Sequence, residues 1–350
     1  MSSLKAHNDM LGNLRGVFPD NASFVICLAY MGTFVMQGLL TTASQSVGGG
    51  YSYNTTTAVM TAECIKLATA FGLYVQEHGL TKFQREFQAH QNLLRLYFVP
   101  AGLYCLYNNL AFINLANYDP TSYYLLLQFR VVVTGVVFQV LFKQRLSQKQ
   151  WASLVILTCG CFMKEYGSGS HKEASVGIEA QRQADFYFHT GLIMVQVFCS
   201  CFAGVYNEKL LKGDNGEAPV MLQNCYMYLD SIVCNILFIM VRGELGSAFS
   251  AQGLSSMLQP VVVLVCCNNA MIGIITSLFL KKLNSVVKVY ASAIELIATA
   301  ILSWMLFGYP IDGPTFIALI LIVGASAIYS MNPIMKNDFL PVKSTDTDGK

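Results

Sequence analysis

The chain has 350 residues, of which 54% are hydrophobic and only 12% charged, about half the charged share of an ordinary soluble domain. A net charge of +2 creates no strong field to attract nucleic acid, and no RNA- or DNA-binding pattern is present, so nucleic acid is excluded as a partner. The apolar residues come in long runs, which points to the membrane, and the 11 cysteines lie within or beside those runs as packing residues rather than as a secreted disulfide framework.

A polar segment, 1–22, opens the chain without a signal-peptide pattern. Ten apolar runs follow, at about 23–43, 54–75, 93–116, 121–142, 149–165, 186–208, 219–241, 258–280, 286–307 and 313–332. The polar stretch 167–185 predicts a mobile loop, and 336–350 a disordered tail. The expected fold class is therefore an all-α polytopic membrane protein of about ten transmembrane helices, with five-helix halves at 23–166 and 186–335. Of the 22 Lys and Arg residues, fifteen fall on the side of the N-terminus and four (Lys164, Lys172, Arg182, Arg242) opposite, with Lys66, Arg130 and Lys288 inside runs. That bias predicts both termini in the cytosol. It also turns the sequon Asn54-Thr55-Thr56 to the lumen, close against the membrane.

Polar residues inside the runs mark the candidate site. Glu63 and Lys66, at i and i+3 in the second run, read as a structural ion pair. Tyr104 and Asn108 share a face of the third run, with Asn109 beside them. After the turn Asn117-Tyr118-Asp119-Pro120, Tyr123 and Arg130 lie two helical turns apart in the fourth. An Arg at that depth costs about 2.5–3.5 kcal/mol even on insertion scales, so it marks function by default. Tyr206 stands near the end of the sixth run, while Asn224 and Tyr228 repeat the i, i+4 pairing in the seventh, just before Asp230. Lys288, Ser292 and Glu295 share a face of the ninth, where Glu295 needs a partner such as Lys288.

Two cations at membrane depth with few local acids imply an anionic ligand. Arg offers a fork to phosphate, Lys a point charge, Tyr a stacking surface and Asn an amide that reads a base edge. A nucleotide fits all of these. No Walker A loop, metal-ligand helix or nucleophile–base pair is present, so neither hydrolysis nor a cofactor is expected. An odd number of runs per half inverts the second half relative to the first. Asn108-Asn109 and Arg130 are echoed by Asn268-Asn269 and Lys288 at nearly equal spacing, as in transporters built from inverted repeats.

The stretches YNNLAF (107–112), YYLLLQFRVVVTG (123–135), KQRLSQKQW (143–151), FAGVYNEKLLK (202–212), QNCYMYLDSI (223–232) and LNSVVKVYASA (283–293) resemble the Golgi nucleotide-sugar transporters of the drug/metabolite transporter superfamily, in the family's order. The resemblance implies ten helices in inverted halves, and exchange of a cytosolic nucleotide sugar for a lumenal nucleoside monophosphate. It matches Lys288 to the family's phosphate-binding Lys, with Arg130 where several members carry Lys. Tyr104, Asn108, Tyr123, Asn224 and Tyr228 match positions lining the nucleotide pocket, and Glu63/Lys66 an E-x-x-K element. Asn109, Tyr206 and Ser292 complete the candidate set. Glu295 and Asp230 stand where other members carry small residues. The expected activity is import of UDP-galactose or a related UDP-sugar into the Golgi lumen against UMP. UDP-N-acetylglucosamine, UDP-N-acetylgalactosamine and CMP-sialic acid remain open, as does a non-transporting scaffold subunit. Expected partners are the substrate and the lipid bilayer, with a homo-oligomer or association with Golgi transporters and glycosyltransferases.

Overall fold

The computed structural model describes residues 20–46, 50–141, 146–169, 176–212, 218–283 and 285–331. Fourteen helices fill these segments: α1 (Asn21–Ala43), α2 (Thr55–His78), α3 (Leu80–Ala89), α4 (Asn92–Asn117), α5 (Pro120–Leu126), α6 (Phe129–Leu141), α7 (Gln148–Gly169), α8 (Val176–Lys212), α9 (Val220–Val241), α10 (Leu245–Ala248), α11 (Ala251–Ser256), α12 (Pro260–Lys282), α13 (Ser285–Phe307) and α14 (Gly313–Met331). No strand occurs among the described residues, only an isolated bridge between Gln45 and Tyr51. Among them, six helices (α1, α2, α4, the Tyr187–Leu211 part of α8, α9 and α12) are long and apolar enough to cross a bilayer, and the chain is a multi-pass membrane protein.

Two expectations change. Within the stretch 167–185, expected as a loop, residues 167–169 belong to α7 and 176–185 to α8, with 170–175 outside the described residues. The run 121–142 is not one helix but two, α5 and α6. Between them the amides of Gln128, Arg130 and Val131 bond to the carbonyls three residues back, at 3.1, 3.0 and 2.9 Å. A turn tightened in this way inside a span is a recurrent mark of a functional hinge. The expected N-terminal segment up to residue 19 and the tail 336–350 lie outside the described residues.

Helices start where a side chain or a proline supplies what the first turn lacks. Asp20 accepts from the Ser23 amide at 2.7 Å, and Asn54 accepts from Thr57 and Asp119 from Ser122, each at 3.0 Å. Pro120 and Pro260 occupy the first positions of α5 and α12. Asp20 also receives the Ser23 hydroxyl and, at 3.0 Å, the Lys282 ammonium, and these hydrogen bonds hold its carboxyl down at about 2. The sequon asparagine is doubly engaged, since beyond its cap the Asn54 amide donates to Glu244 Oε2 at 2.7 Å, beside the Arg242–Glu244 pair.

Packing joins elements far apart in sequence. α9 lies against α2 and α4, α12 against α1 and α2, α8 against α4, α14 against α7, and α13 against α1, α5 and α14. Small residues permit two close approaches. A Cβ at Gly38 would lie 2.4 Å from the Tyr124 ring, whose hydroxyl is fixed by a 2.7 Å bond to the Phe34 carbonyl. A Cβ at Gly273 would lie 2.7 Å from the Lys66 side chain.

Overpacking at a pinned ring costs about 1–3 kcal/mol. Gly38→Ala should therefore lower the melting temperature of the detergent-purified protein. Gly32→Ala, on the same helix with nothing within 4 Å of its Cβ, should leave it unchanged or slightly raised. Equal effects at the two positions would contradict the packing of α1 on α5.

Candidate functional site

A cavity of about 720 Å³ opens inside the bundle, lined from α1, α2, α4, α6, α8, α9 and α12. Its walls are aromatic: Tyr30 and Phe34 from α1, Tyr104 and Tyr107 from α4, and Tyr228 from α9. Between them stand Asn108, Asn207, Ser200, Ser231 and Ser277, polar groups able to orient a ligand.

Among the described residues two cations reach this space, and each has a carboxylate beside it. Lys66 Nζ lies 2.7 Å from Glu63 Oε1 and 5.7 Å from the centre of the Tyr228 ring. Asn108 donates to the same Glu63 oxygen at 3.4 Å. Glu63 and Lys66 thus form the expected ion pair, and both line the cavity. The missing side chain of Gly273 makes room for Lys66.

Arg130 enters from the first turn of α6, just past the tightened backbone. Its Nη2 donates to Ser292 Oγ at 2.7 Å and stands 3.6 Å from Glu295 Oε2, both on α13. Gln128 adds a bond to the Ser292 carbonyl at 3.3 Å. Arg130 is 8% exposed, and its Nε has no hydrogen-bond partner among the described residues. The expectation of cations with few local acids is corrected here, because Glu295, buried and one turn beyond Ser292, lies against Arg130.

The remaining candidates divide. Tyr104, Asn108, Arg130 and Tyr228 line the cavity. Ser292 stands behind Arg130, and Asn224 accepts the Ser277 hydroxyl at 2.8 Å, so both sit one residue back from the wall. Asn109 turns away to Asn235 of α9, at 3.1 Å. Tyr123 points to Gln196, whose amide donates to its hydroxyl at 2.7 Å. Tyr206 is half-buried and packs with Tyr104 against the α2–α4–α9 core. Asp230 is buried in α9 without lining the cavity. Lys288 falls within α13, but its side chain lies outside the described residues.

The residues that sequence reasoning passed over are instructive. Tyr30 and Phe34 are an i, i+4 aromatic pair in an otherwise uniform apolar run, which gave a usable signal. Asn207 stands between Tyr206 and Glu208 at the polar end of its run, and Ser277 directly follows Thr276, so neither stood out by an i, i+4 pairing of its own.

Residues 23–330 match the family described as nucleotide-sugar transporter. The UDP-galactose transporter senju of Drosophila melanogaster is 45% identical, the alignment covering 93% of this chain and 90% of that one. The CMP-sialic acid transporter 2 of Oryza sativa subsp. indica is 28% identical over 77% of this chain and 75% of its own. A protein crystal structure with 12% identity and a TM-score of 0.57, covering 89% of this chain and 98% of that one, shares the fold. With a match that takes in all the described helices but the last residue of α14 and the first two of α1, the chain belongs to the nucleotide-sugar transporter family.

Proposed function

We propose that this chain is a Golgi nucleotide-sugar antiporter carrying UDP-galactose, or a closely related UDP-sugar, from the cytosol to the lumen in exchange for UMP. The observation that carries this reading is Arg130, a guanidinium residue nine-tenths buried that lines a cavity with aromatic walls. The ligand's phosphates meet the guanidinium, its flat base stacks on the tyrosines, and its edge is read by Asn108. Lys288 adds a point charge from α13. Tyr104 and Tyr228 serve the base, and Asn224 and Ser292 act by holding Ser277 and Arg130. The Drosophila relative named for UDP-galactose argues for that sugar. The rice relative, named for CMP-sialic acid, favours a second reading in which the cargo is a CMP-linked sugar, still a pyrimidine nucleotide.

In this account α5 and α6 form one crossing, broken at the hinge, and α3, α10 and α11 lie at the membrane surfaces. The other nine helices then complete ten crossings in two inverted sets of five, with both termini in the cytosol. Ligand sites between inverted halves, beside interrupted helices, are a common transporter design.

Exchange follows from charge. UDP-galactose and fully ionised UMP each carry about two negative charges, so a one-for-one swap moves little net charge. Proteoliposomes preloaded with UMP should take up labelled UDP-galactose several-fold faster than empty ones, and clamping the potential with potassium and valinomycin should change the rate only slightly. Equal rates with and without UMP would count against exchange. Unlabelled CMP-sialic acid competing better than UDP-galactose would favour the second reading.

The base gives a separate test. UMP should inhibit uptake well and AMP or GMP poorly, and Asn108→Ala should weaken UMP inhibition by about tenfold, the effect of losing one good hydrogen bond to a ligand. Equal inhibition by purine and pyrimidine monophosphates would exclude Asn108 as the reader of the base.

A further inference from the structure

Glu295 has no role in the binding scheme above, yet it is fully buried and stands beside the residue on which that scheme rests. From the geometry we infer that Glu295 is an internal counter-ion for Arg130: a positioning residue that takes the place of the ligand phosphate when the cavity is empty, and so lets the unloaded carrier reorient. The inference rests on the antiport reading and concerns how strict the exchange is.

The two acid–base contacts of the cavity differ in kind. Lys66 and Glu63 are in direct hydrogen-bond contact at 2.7 Å and sit on one helix, so no movement between helices need part them. Arg130 and Glu295 belong to α6 and α13, and at 3.6 Å the carboxylate neutralises the guanidinium without taking its shortest hydrogen bond, which goes to Ser292. Arg130 therefore lines the cavity with its charge balanced by a carboxylate that does not line it, and its buried Nε has no partner among the described residues. Arg130 lies within the tightened turn joining α5 to α6, so movement at that hinge alters its reach toward the cavity and toward α13 together.

An unpaired charge in a water-poor cavity opposes occlusion. With Glu295 present, an empty carrier does not carry that penalty at Arg130. When a phosphate arrives, the same carboxylate becomes a like charge near the ligand and weakens its binding. Glu295 thus trades affinity for the freedom to return empty. Wild-type protein should accordingly take up some UDP-galactose without internal UMP, at a rate slower than exchange but readily measured.

Glu295→Gln preserves size and removes the charge. In proteoliposomes, uptake of labelled UDP-galactose into UMP-loaded vesicles should persist with KM lowered several-fold. Uptake into empty vesicles should fall at least about tenfold, the effect of leaving a buried charge without its partner. Glu295→Asp, which keeps a carboxylate, should restore much of the empty-vesicle uptake. A purely structural role would depress loaded and empty uptake in parallel, and that outcome, or an unchanged ratio between them, would overturn the inference. If Glu295→Gln does not reach the membrane, the wild type decides: no uptake into empty vesicles while UMP-loaded vesicles are active would equally overturn it. Absence of uptake into UMP-loaded wild-type vesicles would instead contradict the antiport reading itself.

Discussion

Everything about the site depends on placing one guanidinium in the middle of a membrane bundle without leaving its charge bare. Arg130 is held by the Ser292 hydroxyl at 2.7 Å and balanced by Glu295 at 3.6 Å. At an effective dielectric of about 20, two unit charges that far apart attract by about 5 kcal/mol. Desolvating two ions costs several kcal/mol each. The pair therefore adds little stability by itself, but either member alone would be expensive. That asymmetry explains why Arg130 and Glu295, on two helices remote in sequence, are found together.

The surrounding fold serves that placement. The tightened turn at Gln128–Val131 breaks the fourth run and puts Arg130 in the first turn of a new helix. The bond from Gln128 to the Ser292 carbonyl ties that break to α13. The outer walls are fixed by buried amide contacts such as Asn114 to Gln196 at 2.7 Å and Asn109 to Asn235 at 3.1 Å, the interhelical glue expected where lipid offers no hydrogen bonds. Apolar side chains such as Val241, Leu258 and Met305 remain on the outside, as a bilayer-facing surface requires.

Much of this was legible in the sequence, because hydropathy and charge are local properties. Among the described residues the expected runs are largely helical, the fourth in two pieces, and Arg130, Tyr104, Asn108 and Tyr228 line one cavity. What was not legible depends on helix phase and on contacts across the bundle. Tyr123 was expected on the face of Arg130, two turns away. A turn of three residues advances by about 20° more per residue than an α-helical one, and the intervening break carries Tyr123 round to Gln196. Asn109 follows Asn108 directly, so it points to a different neighbour. The Arg130–Glu295 contact spans α6 and α13, and no spacing rule links residues so far apart.

The central claim is that Arg130 touches the nucleotide's phosphate, beyond holding two helices together through Glu295. Replacing Arg130 alone cannot separate these roles, because it also strands the carboxylate. The double variant Arg130→Gln with Glu295→Gln removes both charges at nearly constant volume, so a merely structural pair would be replaced with little harm. Exchange of labelled UDP-galactose into UMP-loaded proteoliposomes should be measured for this variant at matched protein content. The account predicts a loss of more than about tenfold, as expected when a ligand's buried charge partner is removed. Exchange near the wild-type rate would contradict it.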